Sequence, residues 1–333
     1  MALSEKWDLI ANYESYELVK RDYHLRHGRT PATRHAREIS APFSHARAYF
    51  RSAQGADPTV KPLLLYYGVV SLSRGLTLIL KRGLREAALA PSHGLSVLDW
   101  GHELSRDNPD FAALAMSVNA SGTFMDVSDA TGFRSLLRGA SSVVNETYVN
   151  PRIPAGAVIG LGDLLSRQPA LVDHHMRWRG ETRCLQSQIE GFGERGVIKF
   201  HKGRPWVNRA NAEAVLQGTE FAFELEDAVA LVFVGPNRRN ALPGLTDYAR
   251  AAFLNIGDLW LPAQYRGRAK LSKLSALYAL SYALGMLVRY YPMQWSALVK
   301  GQINDAALPT LAAAVELIES EFPTTVLDFL EFP

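Results

Sequence analysis

Between Pro62 and Leu80 the chain reads PLLLYYGVVSLSRGLTLIL, nineteen residues with a single charge, Arg74. A segment of that length and polarity belongs either in a bilayer or in an interior enclosed by other elements. Arg74 decides between them, because an arginine deep in a spanning helix costs about 2.5 to 3.5 kcal/mol and Gly68, Ser71, Ser73 and Gly75 add little hydrophobic compensation. The expectation is a core helix over about 58–82, with Asp57 as its N-cap and Pro58 in its first turn. Leu65, Val69, Leu72, Leu76 and Ile79 form one apolar stripe, while Tyr66, Tyr67 and Val70 make the other faces apolar too. Such a helix has to be surrounded. The other long apolar run, Leu274 to Val288, lies between Lys273 and Arg289. At about 22 Å as a helix it is too short to span a membrane, and it is the partner expected for the first.

Helices are also expected over 7–20 and from Ser40 and Pro42, the latter carrying Phe43, Ala46, Tyr49 and Phe50. Beyond about residue 93, glycines and prolines recur, and short alternating runs mark antiparallel strands at Ala113–Val118, Thr182–Ile189, Val197–Phe200 and Phe221–Leu225. Ala228–Val234 is almost continuously apolar, and its β-branched content favours a strand covered on both faces over a buried turn of helix. Short helices are expected after Ser128-Asp129 and around Asp163–Arg167. Near the end, helices are expected at Asp247–Ile256, Ala269–Tyr290, Met293–Val299 and Asp305–Glu319, with a last one entered through Pro323. The fold class is therefore α+β and predominantly α-helical, with a helical region over 1–92, a central region over 93–240 containing an irregular antiparallel β structure, and a helical region over 241–333 packed with the first as one unit.

Composition narrows the chemistry. Hydrophobic residues make up 47% and the net charge is +3, too near balance to make nucleic acid or a membrane surface the expected partner. One cysteine, Cys184, precludes an intramolecular disulfide and a cysteine-built zinc site. Acidic Glu5, Asp8, Glu14 and Glu17 occupy the stretch where a signal peptide needs an apolar run, so a cytoplasmic location is expected. Charge is nonetheless uneven, since residues 20–51 hold eight Lys and Arg against Asp22 and Glu38, whereas residues 301–333 hold six acids and no base. Either the two ends meet or each is a solvated face, with an anion or nucleic-acid patch on 20–51 as the sharper alternative.

No motif stands in the context its chemistry requires. Gly191-Phe192-Gly193-Glu194-Arg195-Gly196 matches a dinucleotide fingerprint in letters, but Val197-Ile198-Lys199-Phe200 continues as strand where a helix N-terminus should meet the pyrophosphate, so a β-turn is expected. Four arginine–histidine pairs, Arg21/His27, Arg29/His35, Arg167/His174 and Arg195/His201, have the spacing of the ribonuclease motif of HEPN domains, and only Arg21 with His27 can lie near a helix of suitable length. Gly28 should end that helix at the pair. His174 and His175 are adjacent and must diverge, and His93, Asp99 and His102 are spread along a strand, so no metal or cofactor is expected. Two features remain as ligand-binding candidates. Arg74 needs a carboxylate, carbonyls or an anion, and Arg289-Tyr290-Tyr291-Pro292-Met293-Gln294-Trp295 gathers a cation, phenols and an indole at a helix junction.

Pro62–Gly68 running into the apolar helix, Ser92-His93-Gly94 after it, and the run from Leu277 through Arg289-Tyr290 to Trp295 resemble the bacterial YaaC-like protein family over about 40–100 and 270–330. The resemblance implies an intracellular bacterial protein whose helical ends are the shared framework, and it transfers no catalytic set. The expected function is a non-catalytic binding or regulatory role toward a protein partner or small anionic ligand, within a bacterial defence or stress system. Its candidate residues are Arg74, His93, Arg289, Tyr290 and Trp295, and the alternative is a HEPN-like RNase or other nucleic-acid-directed effector using Arg21 and His27.

Overall fold

The computed structural model describes residues 3–135, 147–149, 152–192, 195–236, 259–265 and 271–331. In chain order the first helices are α1 (Leu3–Ile10), α2 (Tyr16–His27), α3 (Thr33–Gln54) and α4 (Lys61–Leu80). The single helix expected over 7–20 is thus two. Ser15 takes extended angles and accepts the Leu18 amide, breaking the first helix and capping the second. α3 starts seven residues before Ser40 and runs through Pro42, which lies inside it and buried against the core. α4 begins at Lys61, because Asp57 closes a turn by accepting both the amide and the hydroxyl of Thr59 and leaves Pro62 in the first helical turn.

The middle of the chain adds β1 (Leu95–Leu98), α5 (Trp100–Leu104), β2 (Ala115–Val118), α6 (Thr123–Ala130), β3 (Phe133–Ser135), β4 (Thr147–Val149), β5 (Val158–Gly160), α7 (Leu161–Leu165) and α8 (Val172–Arg179). Ser128 and Asp129 end α6 and do not start it, since Gly122 at φ 126° supplies the turn into the helix. There follow β6 (Cys184–Phe192), β7 (Arg195–His201), α9 (Arg209–Leu216), β8 (Ala222–Glu226), β9 (Ala230–Pro236) and β10 (Leu259–Pro262). The expected helix at Asp247–Ile256 lies outside the described residues. Last come α10 (Lys273–Tyr290), α11 (Pro292–Val299) and α12 (Leu308–Glu331). The two final helices expected from Pro323 are one. Thr324 and Thr325 donate their hydroxyls to the carbonyls of Ser320 and Glu321 around the proline, and the chain passes through without a break.

Strands pair antiparallel throughout, as β1-β2-β5, as β3-β4, and as a five-stranded sheet ordered β10-β6-β7-β9-β8. On both sides of Gly193-Glu194, which lie outside the described residues, the glycine motif is strand, with Gly191 facing Gly196 and Phe192 facing Arg195 across β6 and β7. In β9 Leu231, Val232 and Phe233 are all buried, which is the doubly covered strand read from its apolar run.

α4 is the core helix. Among the described residues it is the one helix long and apolar enough to cross a membrane, and here it is enclosed by α3, α6, α10 and α12. Glycines set these distances. A Cβ at Gly68 would lie 2.6 Å from the Phe50 ring and one at Gly75 2.8 Å from the Phe43 ring, so two phenylalanines seven apart on α3 fill two notches seven apart on α4. On the other side Gly285 of α10 receives Tyr66 in the same way, at 2.8 Å. The two ends meet at Arg26, which donates to the carbonyls of Phe329 and Leu330 at the end of α12, but the acids near that end pair with lysines outside 20–51, Glu319 with Lys61 at 2.7 Å and Glu321 with Lys273 at 2.7 Å. Arg26 thus satisfies carbonyls that a helix end leaves open.

Candidate functional site

Three of the predicted residues come together where the C-terminal end of α10 passes α4. Tyr66 and Tyr67 are neighbours on α4, so a helix directs them to different faces. Tyr66 is fully buried, whereas Tyr67 is half-buried and its ring lies 5.6 Å from that of Tyr49 on α3. His93 sits in the loop before β1, its ring 5.5 Å from Tyr66 and 6.1 Å from Tyr282. Tyr278 holds that loop by donating its hydroxyl to the His93 carbonyl at 3.0 Å. Burial first, and the Arg289 charge second, keep the His93 imidazole below its ordinary pKa, so the ring is neutral near pH 7. Burial also pushes the Tyr282 phenol up to about 12.

At the rim, Arg289 donates to the Tyr67 hydroxyl at 3.4 Å and its guanidinium lies 5.1 Å from the centre of the Tyr290 ring. Tyr290 is 58% exposed and Met293, past the break into α11, 73% exposed. Arg289 has no carboxylate partner among the described residues. The result is a surface of Tyr49, Tyr67, Tyr290 and Met293 around an uncompensated guanidinium, with a neutral histidine at its inner margin. Such a surface can stack, donate hydrogen bonds and attract an anion, but it presents no activated nucleophile. Sequence reading passed over Tyr49, Tyr67 and Tyr282 because residues 49, 67, 93 and 290 share no spacing until the fold unites them.

The remaining candidates lie elsewhere. Trp295 is buried and donates its indole N–H to the Pro58 carbonyl, tying α11 to the turn before α4. Arg74 is half-buried and makes no hydrogen bond or ion pair among the described residues. Its charge does lower the Asp126 carboxyl, although burial dominates and leaves that pKa raised. Arg21 is exposed, while His27 donates Nε2–H to the Ile79 carbonyl at 2.8 Å and stacks on Tyr23. Residues six apart on a helix lie about 120° apart around its axis, and Gly28 ends α2 at φ 67° as its position suggests. His27 and His35, whose ring meets the Leu84 carbonyl at 2.8 Å, instead fasten the end of α4. Cys184 is buried, its thiol pushed up by burial, and no group of three or more His, Cys, Asp or Glu among the described residues could hold a metal ion.

A helical body enclosing one apolar helix, with antiparallel sheets inserted between its halves, defines a predominantly helical α+β protein. A family model described as YaaC-like Protein matches residues 10–330, and the chain belongs to that family. No curated protein and no solved structure matches it.

Proposed function

We propose that the protein recognises a partner protein through the surface around Arg289, and that the partner presents an acidic segment there. The supporting observation is the pairing of an exposed, uncompensated Arg289 with the exposed side chains of Tyr290, Met293 and Tyr49. Tyrosine, arginine and methionine are the residue types that concentrate binding energy at protein interfaces, and an unneutralised guanidinium selects a carboxylate. No step of chemistry is assigned to the surface. The ribonuclease reading has less support, since His27 is committed to the Ile79 carbonyl and Arg21 does not share its face. A place in a defence or stress assembly rests on this reading and depends on who the partner is.

A photo-crosslinking amino acid at position 290, introduced in the native host, tests the proposal. The expected product is a discrete adduct with a second protein, lost in Arg289→Glu and not formed when the same group replaces Leu25, which is 80% exposed on α2. The same adducts at both positions, or none at 290, would refute it. For the adduct identified by mass spectrometry, reversing the partner's acidic residues should weaken binding to the purified chain at least tenfold.

A further inference from the structure

The chain leaves the helical body for the five-stranded sheet and returns through a narrow neck. The Arg183 amide donates to the Ser166 carbonyl at 3.0 Å, and the Ala263 amide to the Arg183 carbonyl at 2.7 Å. Arg167, 4% exposed, nails the neck to α7: Nε donates to the Ala263 carbonyl, and the two terminal nitrogens reach the Gln264 carbonyl and Asp163. β10 ends at Pro262, one residue before this clamp, so its side chains are set by it. Leu261 enters the small core of the sheet, and because successive residues of a strand face opposite ways, Trp260 is turned away from that core. Trp260 lines instead a cleft of about 400 Å3 beside the neck. That volume suits a small molecule.

One wall of the cleft is α12, where Ala313, Glu316, Leu317 and Ser320 follow at helical spacing and form a single stripe. Pro169 and Ala170, in the turn before α8, and the exposed His174 on α8 make another. The polar groups differ in what they still require. Lys273 and Glu321 pair at 2.7 Å and cancel, and Ser320 donates its hydroxyl to the Glu316 carbonyl at 2.9 Å. Glu319 and Glu321 are each held by a lysine at 2.7 Å, whereas the exposed Glu316 carboxylate makes no ion pair among the described residues. Trp260 is uncommitted as well. It is partly buried yet belongs to neither core, and its indole N–H has no acceptor among the described residues. A tryptophan ring attracts a cation through the negative charge of its face, and an unpaired carboxylate attracts one through its full charge. One apolar cleft presents both.

We infer that this cleft is a binding site for a small organic cation, an ammonium group on an apolar body, whose charge is recognised by Trp260 and Glu316 and whose body packs on Leu317 and Pro169. The site is separate from the Arg289 surface, and neither reading depends on the other.

Calorimetry on the purified full chain tests the site with two pairs of probes matched in shape and differing in charge: choline against its neutral carbon isostere dimethylbutanol, and phenethylamine against phenethyl alcohol. In at least one pair the cation should bind at least tenfold more tightly than its neutral counterpart and raise the melting temperature. Discrimination in the first pair alone would make the ligand a quaternary ammonium, and in the second alone a primary amine. Glu316→Gln, at an exposed position that leaves the fold intact, should remove the discrimination by weakening the cation and not the alcohol. Trp260→Leu should weaken the cation at least tenfold. Failure of all four probes to bind at about 10 mM, equal binding within both pairs, or cation binding indifferent to either substitution would overturn the proposal. Should Trp260→Leu fail to melt cooperatively, the probe pairs and Glu316→Gln decide by themselves.

Discussion

In the helical body, α4 from the first quarter of the chain is enclosed by α10 and α12 from the last, and its core is continuous from Trp7 to Leu330. The five-stranded sheet is built almost wholly from residues 184–262 and has a small separate core, in which Leu185, Ile198, Phe200, Leu231, Phe233 and Leu261 meet α9. One region is held by contacts distant in sequence and by glycine notches cut to fit aromatic rings. The other is held by neighbours along the chain and hangs on Arg167. A ligand-sized opening arises at their boundary because neither core extends across it.

Breaking the nail between them should have the largest effect. Arg167→Met removes the donor to the carbonyls of Ala263 and Gln264 and the ion pair with Asp163, and loss of one partner from a buried ionic network costs about 3 to 5 kcal/mol. Urea denaturation should show this loss, and hydrogen exchange should show the sheet opening before the helices. Leu231→Ala, in the small core, should cost about 2 to 5 kcal/mol. Here exchange should quicken through β6–β9 while α4 and α10 stay protected, and uniform loss of protection would show that the two regions unfold as one.

Gly285→Ala drives a methyl into the rigid root of Tyr66 and should cost about 1 to 3 kcal/mol, with the opposite pattern of exchange. Acid should act on both regions. His35, His93 and His175 are each held below the ordinary imidazole pKa, chiefly by burial. The unfolded chain therefore binds protons first, and stability is full above about pH 7 and declines as pH falls through about 6.5 toward the folded values. Glu38, which Arg85 holds down to about 2, loses its contribution only below the ordinary carboxylate range, so a drop in the urea midpoint between pH 7.5 and 5.5 belongs to the histidines. The smallest effect is expected for Arg74→Met. Without an ion pair among the described residues, it should change stability by about 1 kcal/mol or less, and a loss several times larger would reveal a partner for Asp126.

The helical body was legible because its signals are local and strong. The 3.6-residue pattern of Leu65, Val69, Leu72 and Leu76 needs no knowledge of the neighbours that it faces. Errors fell on prolines. Pro42 and Pro323 read as helix starts, yet both lie within helices whose tertiary packing outweighs the missing hydrogen bond. Of the binding candidates, His93, Arg289 and Tyr290 do converge, while Trp295 turned out to be a strut. The cleft was invisible to pattern reading. Arg167 and His174 form a spaced pair in the sequence, but α8 sends His174 and His175 to the linings of different clefts, and it is His175 that shares one with Arg167.

The enclosure of α4 also has a consequence for the ribosome. Its last residue is made 193 positions before α10 begins, which at roughly 5 to 20 residues per second leaves α4 without α10 and the helices after it for on the order of 10 to 40 s. α3, through Phe43 and Phe50, and then α6 are the partners available to shield it in that interval. The face of α4 that meets α10 and α12 therefore has no cover on the nascent chain until those C-terminal helices emerge.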